Sequence, residues 1–225
     1  PGRTRRSGGR AVPGVVRLRG VAGILRVDLP AFCPGRRRSR IDVECNHRPA
    51  DGTHAEAELI APRDDLRDAF CAYCRAFRDA GEPYVHGQLD EAESDFATMV
   101  QRKRDHAAGR DLPFELVPNR EWWLVRDGRL CGTVRLRYRL NEHLRREGGH
   151  IGYDVAPDER GKGYATRMLR FALDRARDLD IDRVLLVCAA DNVASARVIE
   201  KCGGVPADEV TNSKGEPVRR YWIDL

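Results

Sequence analysis

Val155-Ala156-Pro157-Asp158-Glu159-Arg160-Gly161-Lys162-Gly163-Tyr164-Ala165-Thr166 joins two stretches of different period. Upstream, His150 to Val155 reads as a strand. Downstream, Tyr164, Ala165, Met168, Leu169, Ala172, Leu173 and Ala176 recur every three or four residues, which predicts a helix from about Gly163 to Leu179 with one apolar stripe. A glycine-bearing turn between strand and helix leaves the helix's first amides unpaired, with roughly half a positive charge at that end. Phosphate suits such a spot. Gly161 and Gly163 let the backbone approach a diphosphate closely, and Arg160 and Lys162 add charge. A nucleotide-containing ligand follows.

The kind of nucleotide can be narrowed. A Walker loop needs an earlier glycine and a hydroxyl after the lysine, and neither is present. A dinucleotide fingerprint needs a third glycine where Thr166 stands.

Working outward, Arg183 to Cys188 reads as a buried strand, and Asp191 or Asn192 caps a short helix that ends near Gly203-Gly204. Strand, helix, strand implies a parallel pair joined by a right-handed crossover. A closing strand runs from Arg219 to Leu225. Before the decisive segment, Trp122 to Arg126 and Leu130 to Tyr138 flank Asp127-Gly128, a strong hairpin signal. In the second strand Leu130, Val134, Leu136 and Tyr138 alternate with Cys131, Thr133, Arg135 and Arg137, giving one apolar and one polar face. Asn141 to Gly148 is read as a polar loop. Two helices, Asp64 to Ala80 and Asp90 to His106, open the domain. The fold class is mixed α/β, with antiparallel strands leading into a parallel pair.

Composition bounds the rest. The 225 residues suffice for one domain with an appendage, and no apolar run approaches the ~18 residues of a membrane span. The net charge of +5 is a property of residues 1–55, which hold 12 Arg, no Lys and 4 acidic residues. Those residues lack any helical or strand period and are expected to form a disordered tail, leaving 56–225 as the folded domain. Arginine clusters without aromatic interleaving do not favour nucleic acid as a partner. Seven cysteines and no secretory signal point to a reducing cytoplasm. Cys71-x-x-Cys74, with Cys33, Cys45 and His47 irregularly spaced upstream, makes a poor zinc framework. The simpler reading places Cys71 and Cys74 as semi-buried residues of one helix, and no metal is expected.

Arg160-Gly161-Lys162-Gly163-Tyr164-Ala165 matches [Q/R]-x-x-G-x-[G/A] at a strand-to-helix junction, and Asn192 follows the next strand with Gly203 eleven residues on. On these motifs the chain, over about residues 56–225, resembles the GNAT superfamily of N-acetyltransferases. Arg139-Leu140-Asn141, Gly148 to Tyr153 and Arg219-Arg220-Tyr221-Trp222 look like a bacterial subgroup of predicted acetyltransferases. The resemblance implies a mostly antiparallel central sheet with a splayed parallel strand pair and flanking helices. It implies acetyl-CoA as cosubstrate, with its pyrophosphate on the amides from Gly161 to Thr166 and its pantetheine along Asp154-Val155-Ala156. Asn192 would bond the pantetheine or order the adjoining loop.

Transfer to an amine needs its neutral form, which costs about 4 kcal/mol for a lysine-like ammonium of pKa ~10.4 near neutral pH. The carboxylate that peptide-directed relatives place five residues before the asparagine is replaced by Val187. Positions used by other relatives fall on Gly149 and Ile151. His150 and Glu142 are the candidate bases, each set against a structural reading: a packed histidine and a solvated loop carboxylate. The family tyrosine that protonates the leaving thiolate is replaced by Ile199, and Tyr153 is the candidate acid. Gly204 replaces a family phenylalanine. No cysteine or serine on the cofactor motifs stands as a nucleophile, so direct attack by a primary amine, on a small molecule or peptide, is expected. A homodimer is compatible with this. The alternative is a catalytically weak acyl-CoA-binding regulatory module, which the losses at Val187, Ile199 and Gly204 favour.

Overall fold

Asp127 and Gly128 both take positive φ (50° and 74°), as a turn matched to the twist of its strands requires. They join β2 (Asn119–Arg126) to β3 (Arg129–Arg137) as an antiparallel pair. The computed structural model describes residues 56–82 and 86–225, with only the backbone of His86 and Gly87. The expected tail, with Cys33, Cys45 and His47, lies outside the described residues. β1 (Glu58–Ile60) pairs with β2, and β4 (Ile151–Val155) pairs with β3, giving an antiparallel sheet of order β1-β2-β3-β4. A second antiparallel sheet of order β5-β7-β6 holds β5 (Arg183–Ala189), β6 (Val205–Thr211) and β7 (Pro217–Asp224).

Helices cover both faces of the first sheet. On one face lie α1 (Arg67–Asp79) and α2 (His86–Ala107), which leaves helical geometry at Asp95. Phe70, Phe96 and Met99 pack there around Trp123, whose ring is fully buried. Cys71 and Cys74 belong to the same apolar cluster. On the other face α4 (Tyr164–Arg177) lays Met168, Leu169 and Ala172 against Trp122, Leu124, Val134 and Leu136.

The expected alternation along β3 holds only in part. The pairing of β2 with β3 shifts between Leu124 and Val125, and a bulge of this kind reverses which face a residue takes. Leu130 therefore packs with α1 and α2, while Cys131 joins the opposite core. The polar face is covered only in part: α1 packs against β3, while Arg135 and Arg137 stay half-buried beside a cavity. The expected loop at 141–148 contains α3 (Glu142–Glu147), capped by Asn141, whose side chain accepts from Leu144 N at 2.9 Å. Such a short helix carries too few apolar residues to show its period.

β4 and β5 share no ladder. They are held together just before β4 begins: His150 N donates to Leu185 O (2.7 Å), and Leu185 N donates to His150 Nδ1 (2.9 Å). The imidazole occupies the place of the missing strand carbonyl. Gly149 permits the approach, because a Cβ there would stand 2.5 Å from Leu185 O and its φ is +64°. Beyond this clamp the strands part. α5 (Val193–Lys201) follows β5, with the Asn192 side chain accepting from Ser195 N at 2.9 Å.

The clamp needs Nδ1 unprotonated, and burial, with Arg137 and Arg145 adding repulsion, lowers the His150 pKa to about 4 from 6.5. Between these values the unfolded chain binds the proton and the folded one does not, so stability should be complete above 6.5 and fall as the pH drops toward 4. His150→Leu should lose that pH dependence and be less stable by about 1–3 kcal/mol at pH 8, where Leu185 N is left without its acceptor. Urea unfolding of both proteins from pH 4 to 8 measures this. Parallel pH profiles would show that the imidazole is not the clamp.

Candidate active site

The parting of β4 from β5 opens a cleft of about 470 Å³ that continues to the N-terminus of α4. Gly161 and Gly163 hold φ of +78° and +81°, and a Cβ on either would meet nothing within 4 Å. The first backbone bond of α4 runs from Arg167 N to Gly163 O (3.1 Å), so the amides of Tyr164, Ala165 and Thr166 precede the helical ladder. A cradle of unladdered amides behind open glycines fits a diphosphate.

The loop's charges are arranged differently from the expectation. Arg160 and Lys162 are both engaged by carboxylates within the fold. Arg160 makes a bidentate pair with Glu82 (2.8 and 2.8 Å) and lies over the Phe77 ring. Lys162 Nζ is 2.8 Å from Glu159 Oε2. Glu159 itself is only 2% exposed and also takes both contacts of Arg126 Nη2 (3.3 Å). A buried carboxylate thus fixes the turn from beneath, and both basic side chains of the loop are paired within the fold. Sequence reading passed over Glu159 because an acidic residue beside Arg160 looks like a solvated turn position.

Backbone alternation gives β4 its ligand edge. Ala156 N bonds Cys131 O of β3 at 2.9 Å, so Tyr153 and Val155, three residues and one residue earlier, turn their backbone groups toward the gap. Val155 O accepts from Arg160 Nε there (3.3 Å). An extended chain can add to this edge as a strand would. Ala156 is buried behind it.

Of the residues singled out in the sequence, Tyr153, Val155, Arg160, Gly161, Gly163, Tyr164, Ala165, Thr166 and Asn192 line the cleft together. His150 and Glu142 do not. The His150 lone pair at Nδ1 is used by Leu185, and Glu142 is exposed in the first turn of α3. Tyr153 reaches across the gap to α5, with its hydroxyl 2.8 Å from Ser195 Oγ, and burial pushes its pKa up to about 12. It keeps its proton at neutral pH.

Asp154 is the residue that sequence reading missed. It lines the cleft from the α1–α2 side, opposite Thr133 in the β3 register. Burial raises its pKa to about 6, while Arg135 pulls the other way. The only sequence signal was its place on the polar side of a strand that ends at the glycine loop. Among the described residues no three potential metal ligands converge.

The family model described as Acetyltransferase (GNAT) domain matches residues 58–205. Among solved structures, RimL, a ribosomal L7/L12 alpha-N-protein acetyltransferase in complex with coenzyme A, is 18% identical with a TM-score of 0.57, covering 79% of this chain and 97% of its own. The ribosomal-protein-S5-alanine acetyltransferase from Vibrio fischeri is 16% identical with a TM-score of 0.57, over 76% and 96%. The microcin C7 self-immunity acetyltransferase MccE, in complex with acetyl-CoA and AMP, is 14% identical with a TM-score of 0.57, over 76% and 93%. No curated protein matches the chain.

Gly163→Asp should abolish binding of acetyl-CoA while leaving the protein folded. A carboxylate ~4 Å from a diphosphate charge costs about 4 kcal/mol at an effective dielectric of 20, and aspartate is among the residues that best tolerate positive φ. Calorimetric titration, with circular dichroism to check the fold, measures it. Binding within threefold of wild type by a folded variant would place the pyrophosphate elsewhere.

Proposed function

We propose, on the premise that the chain belongs to the GNAT acetyltransferase family, that it transfers the acetyl group of acetyl-CoA to a primary amine by direct attack. The observation that carries this reading is one continuous cleft with the glycine loop at one end and Tyr153 and Asp154 at the parting of β4 and β5. The amides from Gly161 to Thr166 would hold the diphosphate, and the edge at Tyr153 and Val155 would hold the pantetheine. Asn192 orders the far wall by capping α5.

Asp154 is assigned the amine's proton. Its carboxylate faces the cleft and, among the described residues, engages no hydrogen-bond donor, and with a pKa near 6 it is ionised at neutral pH and still basic enough to accept. His150 is assigned to positioning, since it fixes where the strands part. Glu142 has no role in this scheme. Tyr153, protonated at neutral pH, would return a proton to the departing thiolate. A thiol of pKa ~8.5 needs this help only modestly, because thiolate is a unit or so from stable in water. A covalent acyl-enzyme has no support: burial raises the thiol pKa of each of the five described cysteines, Cys74 to about 12.

Release of free thiol from acetyl-CoA across a panel of amines tests the activity itself. Asp154→Asn should lower kcat/KM roughly a hundredfold or more, the usual worth of a positioned base. In wild type the rate should fall as the pH drops through about 6, where Asp154 takes up its proton. That limb should vanish in the variant. Tyr153→Phe should cost only about tenfold, because water can protonate the thiolate. An unchanged pH limb in Asp154→Asn would remove Asp154 from the mechanism.

A further inference from the structure

Tyr73, on α1, is a buried polar residue that the scheme above leaves unused. Its ring packs edge-on against Phe77, with centroids 5.0 Å apart, and Phe77 lines the cleft. Its hydroxyl is buried and, among the described residues, has no hydrogen-bond partner. A phenol so placed is a cost to the fold that phenylalanine would avoid. Such a group calls for a partner.

The register shows what the phenol faces. Trp123, Thr133 and Asp154 stand directly opposite one another across β2, β3 and β4. Directly opposed residues share a face of the sheet. Trp123 lies in the core formed with α1 and α2, so Thr133 and Asp154 are turned toward those helices too. Burial above all, and then the charge of Asp154, raises the Tyr73 pKa well above its ordinary range, while the Thr133 hydroxyl pulls the other way. Both side chains therefore lie near the phenol, though neither meets it in bonding geometry. At neutral pH Tyr73 keeps its proton and has it to give.

Three polar groups thus converge where β3 and β4 pass beneath α1: a phenol, a hydroxyl that can donate or accept, and a carboxylate with two oxygens. One buried water would satisfy such a set, since it takes two to four partners. We infer that Tyr73 is a positioning residue for Asp154: through one water shared with Thr133, its phenol holds one carboxylate oxygen and leaves the other free for the amine in the cleft. This rests on the assignment of Asp154 as the base. The other charges acting on Asp154 come in opposed pairs. Arg135 and Arg160 favour its ionised form and Glu121 and Glu82 oppose it, and Arg135 is bound to Glu121 as Arg160 is to Glu82. Lys103, from α2, is also spent on Glu121. Cys74 and Glu121 are the remaining groups that act on Tyr73 itself. A bond from Tyr73 would supply what these pairs do not, a fixed direction for the carboxylate.

Tyr73→Phe keeps the ring contacts with Phe70 and Phe77 and removes one oxygen, so the variant should fold as the wild type does. A donor favours the ionised carboxylate, so its loss should move the acid limb of the rate to higher pH by about 0.5–1 unit. It should also lower kcat severalfold and leave KM for acetyl-CoA unchanged. An independent arm needs no turnover. In protein labelled with carboxyl-¹³C aspartate, the Asp154 signal, assigned by its loss in Asp154→Asn, should titrate at higher pH in Tyr73→Phe than in wild type. A midpoint that stays in place or falls would overturn the inference. A changed melting temperature with an unmoved limb would overturn it as well, because that is what a merely structural hydroxyl gives. If no amine is acetylated at all, the proposed function fails on its own account, and the carboxyl titration still decides whether Tyr73 holds Asp154.

Discussion

The clamp between His150 and Leu185 sets the geometry on which the cleft depends. Two strands that paired along their whole length would leave no room for a ligand, and two that never touched would not hold its walls in register. Here one backbone bond and one imidazole bond join them at a single level, and Gly149 lets the chains come close enough to make both. A side-chain nitrogen replaces a strand carbonyl, so the ladder stops where the ring stands. The edge of β4 beyond it is left for another chain to pair with.

The other side of the sheet is organised by a second buried polar group. Glu121 would be costly alone in an apolar layer, and burial by itself would raise its pKa. Lys103 and Arg135 outweigh burial and hold the carboxyl well below its ordinary range. A buried triad of this kind adds little net stability over apolar packing, yet removing the carboxylate leaves two facing cations without their counter-charge, a loss of ~3–5 kcal/mol. Its consequence is positional. It ties α2 to β2 and β3 and holds Arg135 where its charge acts on Asp154.

Much of this was legible in the sequence where the signal is local. The glycine spacing from Arg160 to Ala165, the stripe of α4 and the Asp127-Gly128 hairpin depend on neighbours within a few residues, and each has the element expected of it. What escaped depends on distant partners. The role of His150 is decided by Leu185, thirty-five residues on, and that of Glu159 by Arg126, thirty-three residues back. Asp154 looked like one more polar strand position, because its distinction lies in facing a cleft that only the parting of β4 and β5 creates. The faces of Leu130 and Cys131 were misread because a bulge leaves no reliable mark on alternation.

The treatment of charge at the glycine loop bears on how the site can work. Lysine and arginine beside a phosphate cradle would ordinarily be read as ligand contacts, but Lys162 is held by Glu159 and Arg160 by Glu82. A cation already paired contributes less to an incoming anion than a bare one, and the carboxylate behind it repels. The affinity for a diphosphate must then come mainly from aligned amides and the helix end, which do not move and cost no side-chain ordering on binding. The pairing also fixes the turn before any ligand arrives. Glu159 anchors it from below through Arg126 and Lys162, and the Arg160–Glu82 pair ties it to the segment after α1, which borders the cleft near Asp154. Holding the loop ready and holding the cleft wall at Glu82 in place are therefore both done by ion pairs of the same short turn.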